Sequence, residues 1–113
     1  MSAVVLGIDG GGTRTRASIV SGENVLAFAE NGSIKRLRVG AHAAEEHLRD
    51  LLAEVYAQAG VTGVRAASAG VASSTMPGVQ EWIAAVFDDF GVEHSEIADL
   101  SVQPVSSRGT WAR

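Results

Sequence analysis

The sequence contains no cysteine, which excludes disulfide bonds and thiolate metal sites. It also lacks a basic excess, since nine lysines and arginines stand against thirteen acids and the formal net charge is −4 at pH 7. We therefore expect no nucleic-acid partner, because nucleic acids bind to basic surfaces. No apolar run approaches the roughly 20 residues that cross a bilayer, and no basic segment followed by a long apolar one opens the chain. These absences predict a cytoplasmic protein without a membrane partner.

The composition favours one globular domain. The chain has 113 residues, of which 46% are hydrophobic and 19% are charged. That length predicts a single domain with a modest core, and that balance is typical of folded chains. The histidines are too dispersed to predict a metal site, and we expect all three at the surface. They are His42, His47 and His94.

The most distinctive stretch is GIDGGGTRTR at residues 7–16, which holds three consecutive glycines. Apolar and alternating residues predict strands at 3–9 and 14–20, on either side of the glycines. Glycines allow positive φ and let a ligand approach the main chain closely. Consecutive N–H groups in such a turn form an anion-binding nest. Asp9 precedes this turn, and a carboxylate beside a phosphate site usually indicates a divalent cation, most often Mg²⁺.

A plain β-hairpin is the alternative interpretation of the same stretch, because Asp-Gly alone is a strong turn signal. Two residues would suffice for a hairpin, however, and the segment from 9 to 13 is longer. Glycine in such numbers also costs backbone entropy without a gain in packing. We therefore favour phosphate binding.

The middle of the chain predicts a third strand, a helix and a fourth strand. A tight turn leads into the third strand at 25–30, so the first three strands form an antiparallel meander. A polar loop is expected at 31–40. An apolar stripe then predicts a helix at Ala41–Ala59 that ends at Gly60, followed by a strand at Val64–Val71.

The C-terminal part predicts a second helix and a weaker fifth strand. Thr75 is a candidate N-cap, the apolar stripe covers 79–90, and Gly91 ends it. The fifth strand is expected at 96–102, and the residues that follow have no period. Aromatic side chains expected in the core are Trp82, Phe87 and Phe90. Three meandering strands followed by helix, strand and helix predict a mixed α/β fold with a parallel strand-helix-strand unit.

Several polar segments have two interpretations. Residues 73–75 follow the fourth strand and are better explained as an N-cap loop than as a contact with substrate. Lys35, Arg36 and Arg38 could meet a phosphate or an acidic partner, and a polar loop of mixed role is favoured.

The glycine motif resembles one class of phosphate loop. It lacks the Gly-Lys-Ser/Thr of a Walker loop, and it does not open a helix as a dinucleotide motif must. A strand-turn-strand clip preceded by an aspartate resembles the actin-like ATPase and sugar-kinase superfamily. Within it, GIDGGGTRTR is similar to the first phosphate motif of BadF/BadG/BcrA/BcrD-type ATPases and N-acetylglucosamine kinases. That motif usually reads GIDGGGTKT, with lysine where this chain has Arg14. Residues 67–71 are similar to the family's fourth strand.

The resemblance implies a ribonuclease H-like lobe that uses ATP and Mg²⁺. Asp9 would orient Mg²⁺ through water. Asn31 and Ser33 would lie near the acceptor sugar. Asp99 is the only acid near the position of the family's catalytic aspartate, which accepts the proton of the attacking hydroxyl; a leucine follows it here, where alanine is usual. The residues implied at the nucleotide are Gly10, Gly11, Gly12, Thr13 and Arg14.

The implied function is that of the N-terminal lobe of a sugar kinase. The reaction would move a phosphoryl group from Mg-ATP to a hydroxyl of an amino sugar such as N-acetylglucosamine. Three alternatives stay open: an ATPase without kinase activity, a non-catalytic sugar-sensing or interaction lobe, and a fragment without its own function. The superfamily binds ATP between two lobes, and only one matches this sequence. We expect residues 1–98 to form that lobe and 99–113 an irregular tail of a truncated or frameshifted product, poorly active alone unless two copies pair.

Overall fold

Alternating apolar residues form the strands of this protein, and apolar stripes at helical spacing form its two long helices. The computed structural model describes residues 3–72 and 74–99. The strands are β1 (Val4–Gly10), β2 (Arg14–Ser21), β3 (Asn24–Gly32), β4 (Val64–Val71) and β5 (Val92–Asp99). The helices are α1 (Arg36–Val39), α2 (Ala41–Ala59) and α3 (Val79–Asp89).

The strands form one mixed sheet in the order β3-β2-β1-β4-β5. Short turns join β1, β2 and β3, so neighbouring strands in this half run antiparallel. The segments containing α2 and α3 lead into β4 and β5, which pair parallel to β1 and to β4. The mixed α/β architecture predicted from the sequence is confirmed.

The core lies between the two long helices and one face of the sheet, which we call the helix face. Helix α2 packs on β2 and β3, and α3 contacts β5. Sheet residues buried on this face include Leu6, Ile8, Ala17, Ile19, Ala27, Ala29, Ala67, Ala69 and Val71. Opposite them, α2 contributes Leu48, Leu51, Leu52 and Val55, and α3 contributes Ile83, Val86 and Phe87. Burying each of these large aliphatic or aromatic side chains contributes roughly 1.5–3 kcal/mol.

The other side of the sheet, which we call the open face, carries the alternate residues of each strand. Phe28 on β3 is 53% exposed and Val5 on β1 is 37% exposed. Asp9, Arg16 and Glu30 also lie on this face and are exposed. Neither α2 nor α3, nor any other helix within 3–72 and 74–99, has both the length and the apolar character needed to cross a bilayer.

The long helix and the fourth strand have the predicted bounds, but the loop between β3 and α2 does not. Gly60 has φ 71° and ψ 34°, and its N–H donates to the Tyr56 carbonyl at 2.8 Å, as expected for a glycine that ends a helix. The prediction of a polar loop at 31–40 is partly wrong. Strand β3 continues to Gly32 because its last residues pair with the start of β2, and α1 forms just beyond the buried side chain of Ile34.

The start of α3 and the position of β5 also differ from the prediction. Thr75 is not the N-cap of α3, because the helix begins at Val79 after Gly78, which has φ 83°. Strand β5 begins at Val92, earlier than predicted, because Val92 pairs with Val64 at the start of β4 and is buried there. The predicted strand residues 100–102 lie outside the described residues, as does the predicted tail beyond Asp99.

Candidate functional site

The candidate site lies at the end of the sheet where the parallel strands β1, β4 and β5 finish. Gly10 is in register with Val71, and Val71 is in register with Asp99. Because neighbouring strands lie about 4.8 Å apart, Gly10 and Asp99 are separated by roughly 10 Å. Ligands of open α/β sheets bind beyond the carboxyl ends of the strands. The chain therefore places its glycine turn and its candidate base at the end of the sheet where such ligands bind.

The glycine motif forms the turn of the β1–β2 hairpin. Gly10 pairs with Thr15, and the Gly11 N–H donates to the Arg14 carbonyl at 2.9 Å, which closes the turn. Within the described part of the chain, the N–H groups of Gly12 and Thr13 have no hydrogen-bond acceptor. Thr13 is exposed and Gly12 is partly exposed. The tip of the hairpin thus presents two adjacent donors to an incoming anion.

The three glycines serve different purposes, and positive φ is not one of them. The described glycines with positive φ are Gly22, Gly40, Gly60, Gly78 and Gly91, so this turn does not use the positive φ that glycine allows. A Cβ on Gly10 would lie 3.1 Å from Cδ1 of Ile34, whereas one on Gly12 would meet no described atom within 4 Å. Close packing against Ile34 favours glycine at the first position, and the space above Gly12 is open to a ligand.

Asp9 stands beside this turn on the open face of the sheet. It pairs in register with Arg16 on β2. Arg16 donates from Nε to Glu30 Oε2 at 2.6 Å, and Arg14 donates from Nη1 to Glu30 Oε1 at 3.2 Å. The hydrogen bond between Arg16 and Glu30 raises the pKa of the guanidinium and lowers the pKa of the carboxyl. Glu30 therefore holds both arginines next to the hairpin.

The donor set around Asp9 fits one kind of metal site. No cluster of three or more metal-ligating side chains occurs among the residues at 3–72 and 74–99, so a cation held by protein atoms alone does not fit. Mg²⁺ is commonly held by one or two carboxylates, with waters and substrate phosphates completing its octahedron. A single exposed carboxylate beside two N–H donors for phosphate fits that arrangement.

Asp99 ends β5 on the helix face, so its side chain and that of Asp9 leave the sheet on opposite faces. The residue is only 9% exposed. Its Oδ2 accepts hydrogen bonds from the Thr75 main-chain N–H at 3.0 Å and from the Thr75 Oγ1 hydroxyl at 2.9 Å. Sequence reasoning missed this contact, because 24 residues separate the two partners and no local pattern links them.

The two predicted sugar contacts are engaged with the local main chain. Asn31 Oδ1 accepts the Gly32 N–H at 2.7 Å. Ser33 is 3% exposed, and its Oγ accepts the Lys35 N–H at 3.0 Å. The prediction of a surface histidine at 47 is wrong. The His47 ring is partly buried, packs against Gly32, and places Nδ1 2.7 Å from the Ser33 carbonyl. Both His42 and His94 are exposed, as predicted.

A pocket of about 310 Å³ opens beside the hairpin, between α1 and the start of α3. Ile34 and Ala72 line it, and both touch Gly10, the first through packing and the second through a 2.9 Å hydrogen bond to the Gly10 carbonyl. Lys35 and Arg36 add positive charge to its wall. The volume is at the lower end of the range for small-molecule pockets. A ligand of monosaccharide size therefore fits next to the turn.

Comparisons with known proteins identify the fold. No protein-family model and no curated protein sequence matches this chain. A proposed N-acetylglucosamine kinase from Chromobacterium violaceum is similar in structure, with a TM-score of 0.57 and 24% identity, over 87% of this chain and 35% of that one. The ROK hexokinase from Thermus thermophilus is similar with a TM-score of 0.60 and 24% identity, over 83% and 33%. The chain thus spans about a third of each neighbour's length.

This likeness confirms the predicted fold. The chain has the mixed α/β fold of a ribonuclease H-like lobe, and a part of each of these two neighbours shares that fold. The order of its five strands agrees with that fold.

Proposed function

We propose that this chain is the ATP-binding N-terminal lobe of a sugar kinase. The observation that carries the proposal is the pair of N–H donors at Gly12 and Thr13 on the tip of the β1–β2 hairpin, with the Asp9 carboxylate beside them. N–H groups in a glycine-rich turn bind phosphate, and a neighbouring carboxylate suits the accompanying cation. The sugar-kinase fold of the two structural neighbours supports the same function.

The residues of the hairpin would have different roles in binding the phosphates. The Gly11 N–H is used to close the turn, so the β- and γ-phosphates would be held mainly by the Gly12 and Thr13 N–H groups. Gly10 would let the hairpin pack on Ile34 and so fix its position. Arg14 would reach the phosphates by leaving its 3.2 Å contact with Glu30.

Asp9 would hold Mg²⁺ through a bound water. When bound, the ion would neutralise charge on the β- and γ-phosphates as the transferred group departs. Asp9 would orient that cation toward the tip of the hairpin, because both lie where β1 meets β2.

Asp99 would act as the general base. Its carboxylate would accept the proton of the attacking sugar hydroxyl while the hydroxyl oxygen bonds to the γ-phosphorus and the bond to the β–γ bridging oxygen breaks, which releases ADP. Gly10 and Asp99 lie roughly 10 Å apart, two strand spacings, so the γ-phosphoryl group and the acceptor hydroxyl would lie beyond the strand ends, in the region that these two residues flank.

The acceptor would be an amino sugar such as N-acetylglucosamine, bound in the pocket beside the hairpin. Asn31 would approach the sugar with its amide N–H groups, since its Oδ1 already accepts the Gly32 N–H. Ser33 is buried, and its Oγ accepts the Lys35 N–H. It would therefore support this contact indirectly, by holding the main chain next to Asn31 in place.

An amide NMR titration with ATP, with and without Mg²⁺, tests this function. We expect the Gly12 and Thr13 signals to move most, and the Mg²⁺ complex to bind more tightly. Gly22, in the turn at the opposite end of β2, is the matched internal control. Shifts at Gly12 no larger than those at Gly22 would refute nucleotide binding at the hairpin. A phosphoryl-transfer assay over a panel of neutral and amino sugars then identifies the acceptor.

A further inference from the structure

Thr75 donates two hydrogen bonds to the Asp99 carboxylate. It donates both its main-chain N–H, at 3.0 Å, and its Oγ1 hydroxyl, at 2.9 Å, to the same oxygen, Oδ2. Two donors on one oxygen fix the direction of the carboxylate more firmly than one donor would. Hydrogen bonds to a carboxylate are also stronger than those between neutral groups.

The connection that carries Thr75 is also attached to the glycine hairpin. Ala72 donates its N–H to the Gly10 carbonyl at 2.9 Å. Ser74 donates its N–H to the Val71 carbonyl at 3.3 Å, and Val71 is in register with Gly10. Residues between β4 and α3 therefore contact both the proposed phosphate site and the proposed base.

From these contacts we infer that Thr75 is a positioning residue, which sets the orientation of the Asp99 carboxylate relative to the glycine hairpin. This inference rests on the proposed kinase function of the same site. The physical link runs from Gly10 to Ala72 and from Thr75 to Asp99. We therefore expect nucleotide bound at the hairpin to change the surroundings of the Asp99 carboxylate, although roughly 10 Å separates Gly10 from Asp99.

The test follows the ¹³Cγ signal of Asp99 during a titration with Mg-ATP, with the Gly12 amide as an independent reporter of nucleotide binding. Thr75→Val removes the hydroxyl donor and keeps the shape, whereas Thr75→Ser keeps the donor. In the unmodified chain and in Thr75→Ser, we expect the Asp99 signal to move as Gly12 saturates. In Thr75→Val, which keeps the main-chain N–H donor, we expect Gly12 to titrate with the same midpoint while the Asp99 shift becomes smaller.

An Asp99 shift in Thr75→Val equal to that in the unmodified chain would overturn the inference. A Gly12 signal that moves in none of the three proteins would instead refute the proposed function. In that case the nucleotide-free spectra show whether Thr75 binds Asp99. We expect Thr75→Val to displace the Asp99 signal and Thr75→Ser to restore it, and no displacement would refute the contact. Equal thermal unfolding of the two variants shows that neither result comes from unfolding.

Discussion

A methyl group on Gly10 would lie 3.1 Å from Cδ1 of Ile34, closer than side chains normally pack. Ile34 is 1% exposed. Gly12, two residues along the same turn, has no such neighbour among the described atoms. The first and third glycines of the motif therefore have different surroundings, since the first is tightly packed and the third is open to a ligand.

This difference predicts opposite effects of two alanine substitutions. Gly10→Ala should lower the free energy of unfolding by about 1–3 kcal/mol, as other overpacked cores do. Gly12→Ala should change it by less than about 0.5 kcal/mol, as at an ordinary surface site, but should weaken Mg-ATP binding by crowding the phosphates. Urea unfolding of both variants measures the stabilities. Equal stabilities would contradict the packing account of Gly10.

A second prediction concerns Gly32 and His47. A Cβ on Gly32 would lie 2.7 Å from Cε1 of His47, so Gly32→Ala must displace the ring and its contact with the Ser33 carbonyl. We expect a loss of about 1–3 kcal/mol in unfolding free energy. In the His47→Ala background, the same glycine change should cost much less, because the clash is gone. A double-mutant cycle measures this coupling, and strict additivity would argue against the contact.

Tyr56 predicts how stability depends on alkaline pH. Burial raises the pKa of Tyr56 from 10.0 to about 12 in the folded protein, so the unfolded chain loses this proton first. The contribution of the buried neutral phenol is complete below about pH 10 and is lost as the pH rises toward 12. Tyr56 is the only tyrosine, so ultraviolet absorbance of tyrosinate reports it alone.

The matched control for that titration is Tyr56→Phe, in which the stability loss between pH 10 and 12 should be smaller. Tyr56 also donates to the Phe90 carbonyl at 2.8 Å, so this variant should be less stable at neutral pH. A tyrosinate transition centred near pH 10 in the folded chain would show that the phenol is not buried.

Glu30 predicts a gain of function at the hairpin. Glu30→Gln removes a negative charge next to the phosphates and releases Arg14 and Arg16 from their ion pairs. Mg-ATP should bind about two- to fivefold more tightly, since an exposed charge contributes up to about 1 kcal/mol. Glu23→Gln, in the β2–β3 turn, is the control and should bind as the unmodified chain does. Weaker binding to Glu30→Gln would mean that Glu30 assists the nucleotide.

The sequence predicted those parts of the fold that depend on local patterns. Helix α2 has its predicted bounds because the apolar stripe is long and Gly60 ends it. Strand β4 has its predicted bounds because its residues are mostly apolar or small. The glycine hairpin was found because its composition is unusual, although the way its glycines act was not.

The parts that could not be predicted depend on contacts between residues far apart in the chain. The partly buried position of His47 is linked to a contact with Ser33, 14 residues away. The local sequence predicts that Thr75 is a helix N-cap. In the fold, Thr75 instead donates its hydroxyl to Asp99, 24 residues away. The opposite orientations of Asp9 and Asp99 depend on the register of three strands, which no single segment encodes.

The most direct test of the central claim is a calorimetric titration of the purified chain with Mg-ATP, compared between Asp9→Asn and Asp50→Asn. Asp50 is an exposed acid on α2, so its variant controls for the loss of one negative charge. We predict saturable binding to the unmodified chain and to Asp50→Asn, and affinity lower by about tenfold or more, or 1.4 kcal/mol, in Asp9→Asn. Absence of saturable heat at millimolar nucleotide, or equal affinities for the two variants, would contradict the assignment of a phosphate and Mg²⁺ site to this hairpin.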